Sequence, residues 1–430
     1  MASGVPRLAA CVAALAVANP LSAAALDWPQ FRFDDAHSGF NPFEQTLAPA
    51  NVPRLQQAWA AQLGSLVDFS SPAVVGGIAY IGSDDGRLWA YPAAGCGQSL
   101  CTTPLWVSTP LAQIIDSPTV SDGIVYIGSQ TSPTSNDGRL NAFAAAGCGQ
   151  PTCAPLWQGL VGTESVLQSS PTVAGGVVYV GGFDGRLYAF DADGCGTATC
   201  QPSWTAQTGG PIESTPTVWQ GKVYVGSGDG RLHVFDARGC GAARCSALWK
   251  GKVGGTIFES TPAIVDGVAY IASQHRFAAF DANGCGLPTC NPLWQAVESN
   301  QFFNGSPAVA EGRVFVPLEA GIAVYSADGC GRPRCNPQWL LFGSGAQASI
   351  LSAPTIANGV VYAGRNTGQV LAWKTAPCLR GSCPEIWSAS VREPIVRSSP
   401  TVVDGRIYIG SADDLAPENQ QGRLYVFALR

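Results

Sequence analysis

The chain has 430 residues, 13% of them charged and 46% hydrophobic, a balance that supplies a large buried core and excludes an intrinsically disordered protein. Its formal net charge of −6 lacks the basic excess with which proteins engage phosphate backbones, so nucleic acid is excluded as a partner. Length alone sets a prior of two or three domains, while 51 glycines and 31 prolines indicate a chain that turns often.

Residues 1–25 read as a secretory signal: Arg7, an apolar run from Leu8 to Ala18, then Ser22-Ala23-Ala24-Ala25 before Leu26. Leu8-Ala9-Ala10-Cys11 has the letters of a lipoprotein box, but Cys11 opens the apolar run instead of following it, which argues against lipidation. Cleavage near Ala25 leaves 23 basic against 30 acidic residues in a chain expected in the periplasm or outside the cell. No later stretch reaches the roughly 18 apolar residues of a membrane helix, so no span is expected. Residues 26–58 form a lead-in, and residues 59–430 a single repeat domain.

Each repeat opens at a proline: Pro72, Pro118, Pro171, Pro216, Pro262, Pro307, Pro354 and Pro400, spaced by 46, 53, 45, 46, 45, 47 and 46 residues. A β-rich run follows with an aromatic residue, such as Tyr80, Tyr179 or Tyr408, and a second run carries another, such as Tyr91, Phe190 or Phe427. Hairpin signals lie around them, Asp122-Gly123 after the first strand and Asp184-Gly185 or Asp229-Gly230 before the third. A tryptophan marks the fourth strand: Trp59, Trp106, Trp157, Trp204, Trp249, Trp294, Trp339 and Trp387. About 45 residues with four short antiparallel strands make one propeller blade, and no helical period of useful length competes. The sequence therefore predicts an all-β, eight-bladed β-propeller. Trp59 precedes every repeat, and the last repeat lacks its own tryptophan strand, so the N-terminal strand should complete the last blade and close the ring.

Fourteen cysteines outside the signal form seven pairs at one spacing, Cys96/Cys101, Cys148/Cys153, Cys195/Cys200, Cys240/Cys245, Cys285/Cys290, Cys330/Cys335 and Cys378/Cys383. Each pair falls between the third strand and the tryptophan strand. In an exported chain this even count reads as local disulfides that stiffen the blade rims. Metal binding is the competing reading, opposed by the placing of one pair per blade and by the lack of a recurring histidine beside them.

The pattern Ser-Pro-Thr-Val, Val-Tyr-Val-Gly, Asp-Gly-Arg-Leu-Tyr-Ala-Phe-Asp-Ala and a later Trp, clear from Ser170 to Trp204, resembles the pyrroloquinoline-quinone-like propeller repeat family across residues 59–430. Trp28-Pro29-Gln30-Phe31-Arg32 with His37, Gly39 and Asn41-Pro42 is similar to the lead-in of such propellers. The resemblance implies a docking arrangement in which Ala90, Ala142, Ala189, Ala279 and Ala372, with Val234, Val324 and Val426 in the other blades, pack on the tryptophans. The family's Thr-Gly-Lys turn is replaced here by the cysteine loop. The resemblance implies two kinds of activity: quinone- and Ca²⁺-dependent dehydrogenases of alcohols or sugars, and non-catalytic propellers that bind proteins through their loops.

The residue three positions before each proline should face the central funnel, giving the ring Phe69, Ile115, Gln168, Glu213, Glu259, Asn304, Leu351 and Arg397. Glu213, Glu259 and Asn304 are hard-cation ligands on three consecutive blades. Gln168 and Arg397 are the candidates for touching a cofactor such as pyrroloquinoline quinone (PQQ), Arg397 through an anionic group. The alternative is a set of solvated polar groups at a channel mouth. Against catalysis stand the absence of an adjacent-cysteine pair and of a placed base, and the insertion Gln130 to Asn136 looks like an ordinary exposed loop. His37, His233 and His275 are too scattered for a metal cluster or a hydrolytic triad and read as structural or surface groups. Arg87, Arg139, Arg186, Arg231 and Arg423 recur in the Gly-Arg-Leu turn and read as blade-to-blade hydrogen-bonding elements.

The leading expectation is an exported, monomeric, non-catalytic propeller that binds a protein or an extracellular or envelope ligand through its loops, with no assigned cofactor. The alternative is a dehydrogenase using PQQ and Ca²⁺. A polysaccharide-binding or cleaving propeller rests on Phe302, Phe303 and Trp219 as exposed aromatics.

Overall fold

The computed structural model describes residues 27–130, 138–162, 168–299, 301–303, 305–343, 349–378, 382–412 and 422–430; the signal expected at 1–25 and most of the insertion at 130–136 lie outside them. Eight antiparallel sheets are arranged as blades, numbered here by their prolines. Blade 3 shows the pattern, with Thr172–Ala174 innermost, then Val177–Gly181, Arg186–Asp191 and Trp204–Gln207 outermost. Its middle strands are buried on both faces because each sheet is sandwiched between two others, which is why these strands are near-continuous apolar runs. The first hairpin turns at Gly175-Gly176, both with positive φ, or in blade 2 at Asp122 (φ 48°) and Gly123 (φ 78°), the backbone that a two-residue hairpin requires. Among the described residues no helix is long and apolar enough to cross a membrane.

The ring closes as expected. Gln56–Gln62 pairs antiparallel with Arg423–Ala428, with Trp59 opposite Val426. The tryptophan docking holds in register in every blade, from Ala90 opposite Trp106 and Ala189 opposite Trp204 to Val324 opposite Trp339.

The seven cysteine pairs are disulfides, and they reach beyond the rims of their own blades. Thr199–Cys200 lies parallel to the outer strand of the preceding blade, Gln158 opposite Thr199 and Gly159 opposite Cys200. Five other junctions repeat this pairing, and a single bridge, Gln295 to Arg334, makes the seventh. Each cysteine loop is thus a clasp on its neighbour. Gly194 (φ +80°) sits flat on the indole of Trp157, where a Cβ would come within 2.7 Å of the ring. At the junction of blades 7 and 8, where the chain ends meet, the 3-10 turn Val52–Arg54 takes the place of the loop and Leu55 O accepts from Trp387 Nε1 at 3.1 Å.

Two of the repeated arginines, by contrast, bond within their own blades. Arg87 Nη1 donates to Ser108 O and Arg186 Nε to Gln207 Oε1, each on the outer strand of its own blade. The tyrosines make the inter-blade bonds instead, as where Tyr179 donates to Ala237 O at 2.7 Å.

Two belts of hydrogen bonds surround the channel. In the first, the amide just before the proline donates to the hydroxyl at the same position of the next blade, as from Ser71 to Ser117, Ser117 to Ser170 and Ser399 to Ser71. In the second, the threonine after the proline donates to the next proline's carbonyl at 2.5–2.6 Å, from Thr119, Thr172, Thr217, Thr355 and Thr401. Blades 1, 5 and 6 carry Ala73, Ala263 and Ala308 there, which have no hydroxyl. For blades 5 and 6 the missing donors come from the lead-in, because Arg32 donates to the Pro307 and Pro354 carbonyls and to His37 O.

The lead-in crosses the whole lower face, the end where the cysteine loops lie. Pro29 O accepts from Val120 N, Asp35 O from Val218 N, Ala36 O from Ile264 N, Ser38 O from Val309 N and Gly39 O from Ile356 N. Trp28 bridges Val74, and Asn41 Nδ2 donates to Val402 O. His37 Nε2 lies 3.0 Å from Thr172 Oγ1 in blade 3, so the inner strand of every blade is tied. Arg32, Phe33 and His37 all take positive φ to make the path, and Gly39 (φ +69°) has no room for a Cβ against the Arg32 guanidinium. His37 is structural, as the sequence suggested: it is fully buried, and burial lowers its pKa to about 4, so the ring is neutral. Burial also lowers Arg32 to about 9.

Candidate functional site

With its lower end plugged, the channel opens only at the upper face, where the residues before each proline sit. Phe69, Gln168, Glu213, Glu259, Leu351 and Arg397 line one cup there, as the ring expectation requires, and Phe31 from the lead-in closes it from below. Ile115 is buried and outside the cup lining, and Asn304 lies outside the described residues. The cup has a cavity volume of about 50 Å³, room for a few waters.

The charged residues of the ring engage one another. Arg397 of blade 8 reaches across the mouth so that its Nε lies 2.6 Å from Glu259 Oε2 of blade 5, an ion pair. Its guanidinium carbon lies 4.8 Å from the centre of the Phe69 ring, a cation–π contact. Arg397 is therefore held by a carboxylate of the protein itself, where the sequence suggested a group awaiting an anionic ligand. Glu259 has φ 43°, a strained setting for a side-chain-bearing residue. Burial raises the Glu259 pKa against the opposing pull of Arg397. Glu213 is pushed up to about 7, first by burial and then by the Glu259 charge, with Arg397 opposing.

Sequence reasoning missed Asp116. Two residues before each proline, six blades carry a serine whose hydroxyl serves the second strand, as Ser169 Oγ accepts from Gly181 N and Ser398 Oγ from Gly410 N. In blade 2 this residue is Asp116, and it is fully buried in the cup wall. Its Oδ2 accepts from Gly128 N at 2.7 Å, while its Oδ1 has no protein partner. Burial raises its pKa well above the usual carboxylate range. An aspartate in a column of serines was the available signal. A further acid, Asp84 on the blade 1 turn, is raised to about 7 by burial and by Asp68.

Calcium takes six to eight oxygen ligands. Glu259 already commits Oε2 to Arg397, and the described residues contain no group of three histidines, cysteines or carboxylates suited to a metal. The described part of the ring is thus an ion pair beside one titrating acid, and the third expected cation ligand, Asn304, lies outside the described residues. His233 is buried with Nε2 2.9 Å from Asp229 Oδ2, and His275 lies in the blade 5 turn, 4.6 Å from Phe302. Of the three aromatics expected to be exposed, Phe302 is 41% exposed, Phe303 is buried at 6%, and Trp219 is half-buried under Lys222. Phe303 is drawn in because its amide donates to Gln274 O and its ring packs on Phe277.

The family model described as outer membrane protein assembly factor BamB matches residues 56–283 and 136–377. No curated protein sequence matches the chain. Among solved structures, BamB from Moraxella catarrhalis aligns at 18% identity with a TM-score of 0.63, covering 87% of this chain and 99% of that one. Quinohemoprotein alcohol dehydrogenase from Comamonas testosteroni aligns at 16% and 0.68, covering 95% and 81%. A europium-containing methanol dehydrogenase aligns at 14% and 0.64, covering 94% and 98%. At such identities these structures speak for the propeller alone, whereas the family model spans well over half of the sequence: the chain belongs to the PQQ-like propeller repeat family whose model carries the BamB description.

Proposed function

We propose that this chain is an exported, non-catalytic propeller of the cell envelope that binds a protein partner, or another envelope or extracellular ligand, through its upper loops. The supporting observation is the state of the funnel. The arginine that could meet an anionic ligand is instead paired with Glu259 across the mouth, and the cup between them has a volume of only about 50 Å³. The family description of an assembly factor and the seven disulfides, which form and persist mainly in oxidising compartments, agree with an envelope protein.

The second reading is a dehydrogenase using PQQ and Ca²⁺, with Glu213, Glu259 and Asn304 on the ion and Gln168 and Arg397 toward the quinone. What favours it is the convergence of Gln168, Glu213, Glu259 and Arg397 on one cup, together with the quinoprotein neighbours. Isothermal titration of the oxidised mature protein with PQQ, with and without Ca²⁺, separates the two readings. The proposal expects no binding. Metal-dependent binding that disappears in Glu213→Ala/Glu259→Ala would overturn it.

A further inference from the structure

In a ring of repeats, whatever recurs is scaffold, and departures from the repeat mark the sector under a different demand. On the upper face the departures of blades 5 and 6 coincide. Their second-to-third strand turns hold two residues, Gln274-His275 and Glu319-Ala320, where blades 1, 3, 4 and 7 hold three, as in Asp84-Asp85-Gly86. The shorter turns lower the rim, and Phe302-Phe303 is laid between them: Phe303 N donates to Gln274 O and Glu319 N to Phe302 O. The result is a cavity of about 350 Å³ beside the funnel, walled by Phe258, Phe302, Phe303 and Leu351 and backed by the Glu259–Arg397 pair. Phe258 and Phe302 are 46% and 41% exposed, an uncovered aromatic surface of the kind that marks a recognition site.

We infer that this pocket takes one uncharged aromatic side chain presented by an extended segment of a partner protein, an inference that rests on the binding function proposed above. The size suits a single large side chain with its flanking main chain. Two exposed phenylalanines offer ring edges and faces to a third ring, in the manner of an anchor seated at the centre of an interface. The charge at the back of the pocket is neutralised internally, which disfavours a charged anchor. Arg397 also lines the pocket, and its guanidinium carries several N–H donors suited to a main-chain carbonyl beside the anchor.

The test is saturation-transfer NMR of the oxidised mature protein with the blocked pentapeptide Gly-Gly-Phe-Gly-Gly, its alanine counterpart and p-cresol as a bare ring. The phenylalanine peptide is expected to bind at least tenfold more tightly than the alanine peptide. Phe258→Ser and Phe302→Ser should each abolish that preference, and since both rings are exposed the variants will fold. Phe183→Ser, at an exposed phenylalanine on the blade 3 turn, should leave it intact, and Arg397→Gln should weaken the peptide several-fold without affecting p-cresol. Equal binding of the two peptides, or a preference that survives both pocket variants, overturns the inference. So does p-cresol binding as tightly as the peptide, which would make this a small-molecule site. PQQ with Ca²⁺ is titrated into the same preparation. No response to either probe defeats the pocket alone, whereas a response to the quinone defeats the binding function on which it rests.

Discussion

The two faces of the ring are built on different principles. On the lower face almost everything recurs: the cysteine loops clasp one neighbour after another, and the lead-in bonds each inner strand in turn. On the upper face the repeat is broken at chosen places, by Asp116 among serines, by the ion pair across the mouth and by the shortened turns of blades 5 and 6. One face therefore carries the repeated scaffold and the other the departures from it, and perturbing them should have separable effects.

The largest effect is expected at Arg32, the buried cation that stands in for two missing threonines. Arg32→Ala strips the donors from Pro307 and Pro354 and leaves both carbonyls unpaired in the closed end of the channel. A loss of about 3 kcal/mol is expected, read as a lowered urea midpoint. Ala263→Thr/Ala308→Thr in that background should recover part of the loss by restoring the second belt. If the midpoint does not move, the lead-in is a passenger and not a plug.

Next come the clasps. Replacing Cys195 and Cys200 by serine opens one small loop and should cost about 2 kcal/mol in the chain-entropy picture. The loss should appear first at the junction of blades 2 and 3, because Thr199–Cys200 pairs with the outer strand of blade 2. Hydrogen exchange at Gln158 and Gly159 would report it. Opening within blade 3 alone would mean that the disulfide serves its own blade after all.

How far these features could be read from sequence depended on repetition. Eight prolines, eight tryptophans and seven cysteine pairs amplify one weak blade signal until fold, closure and disulfides are unambiguous. The ring residues were legible for the same reason, since one offset from each proline put six of them around one cup. Side-chain pairing was not legible, because nothing local says that Arg397 spans the mouth to Glu259, 138 positions away in sequence. The plug was equally hidden. Arg32 acts by substituting for hydroxyls absent some 230 residues later or more, and the parallel clasp of each cysteine loop depends on the neighbour's edge strand rather than on the loop's own residues. Phe303 looked exposed because burial by two short turns is a tertiary effect.

On the upper face, acidity provides a third and smaller signal. The Glu213 pKa is raised from 4.5 to about 7, so between those values the native state holds a proton that the unfolded chain has released. Native stability contributed by this group therefore falls as pH rises through that window, and below 4.5 the penalty vanishes. Glu213→Gln should stabilise the protein by on the order of 1 kcal/mol at pH 8, allowing for screening at the mouth, and leave it unchanged at pH 4. Thermal melts across this range would show it. Asp116→Ser should act in the same direction, since serine satisfies the equivalent amide in six other blades. A gain at both ends of the pH range would point to relief of packing and not of charge.

The smallest expected effect is also the one that most directly probes the upper face. Arg397 and Glu259 are 37% and 26% exposed at their side chains, so their coupling in a double-mutant cycle of Glu259→Gln and Arg397→Gln should be only about 1 kcal/mol and should shrink in high salt. A pair worth so little does not hold the ring together, which has belts of hydrogen bonds from blade to blade for that purpose. Its consequence is local: it joins Glu259, whose φ is 43°, to Arg397 at the back of the aromatic pocket. A coupling of several kcal/mol that is insensitive to salt would reverse this assignment, making the pair part of the scaffold and drawing the line between the two faces above the mouth instead of below it.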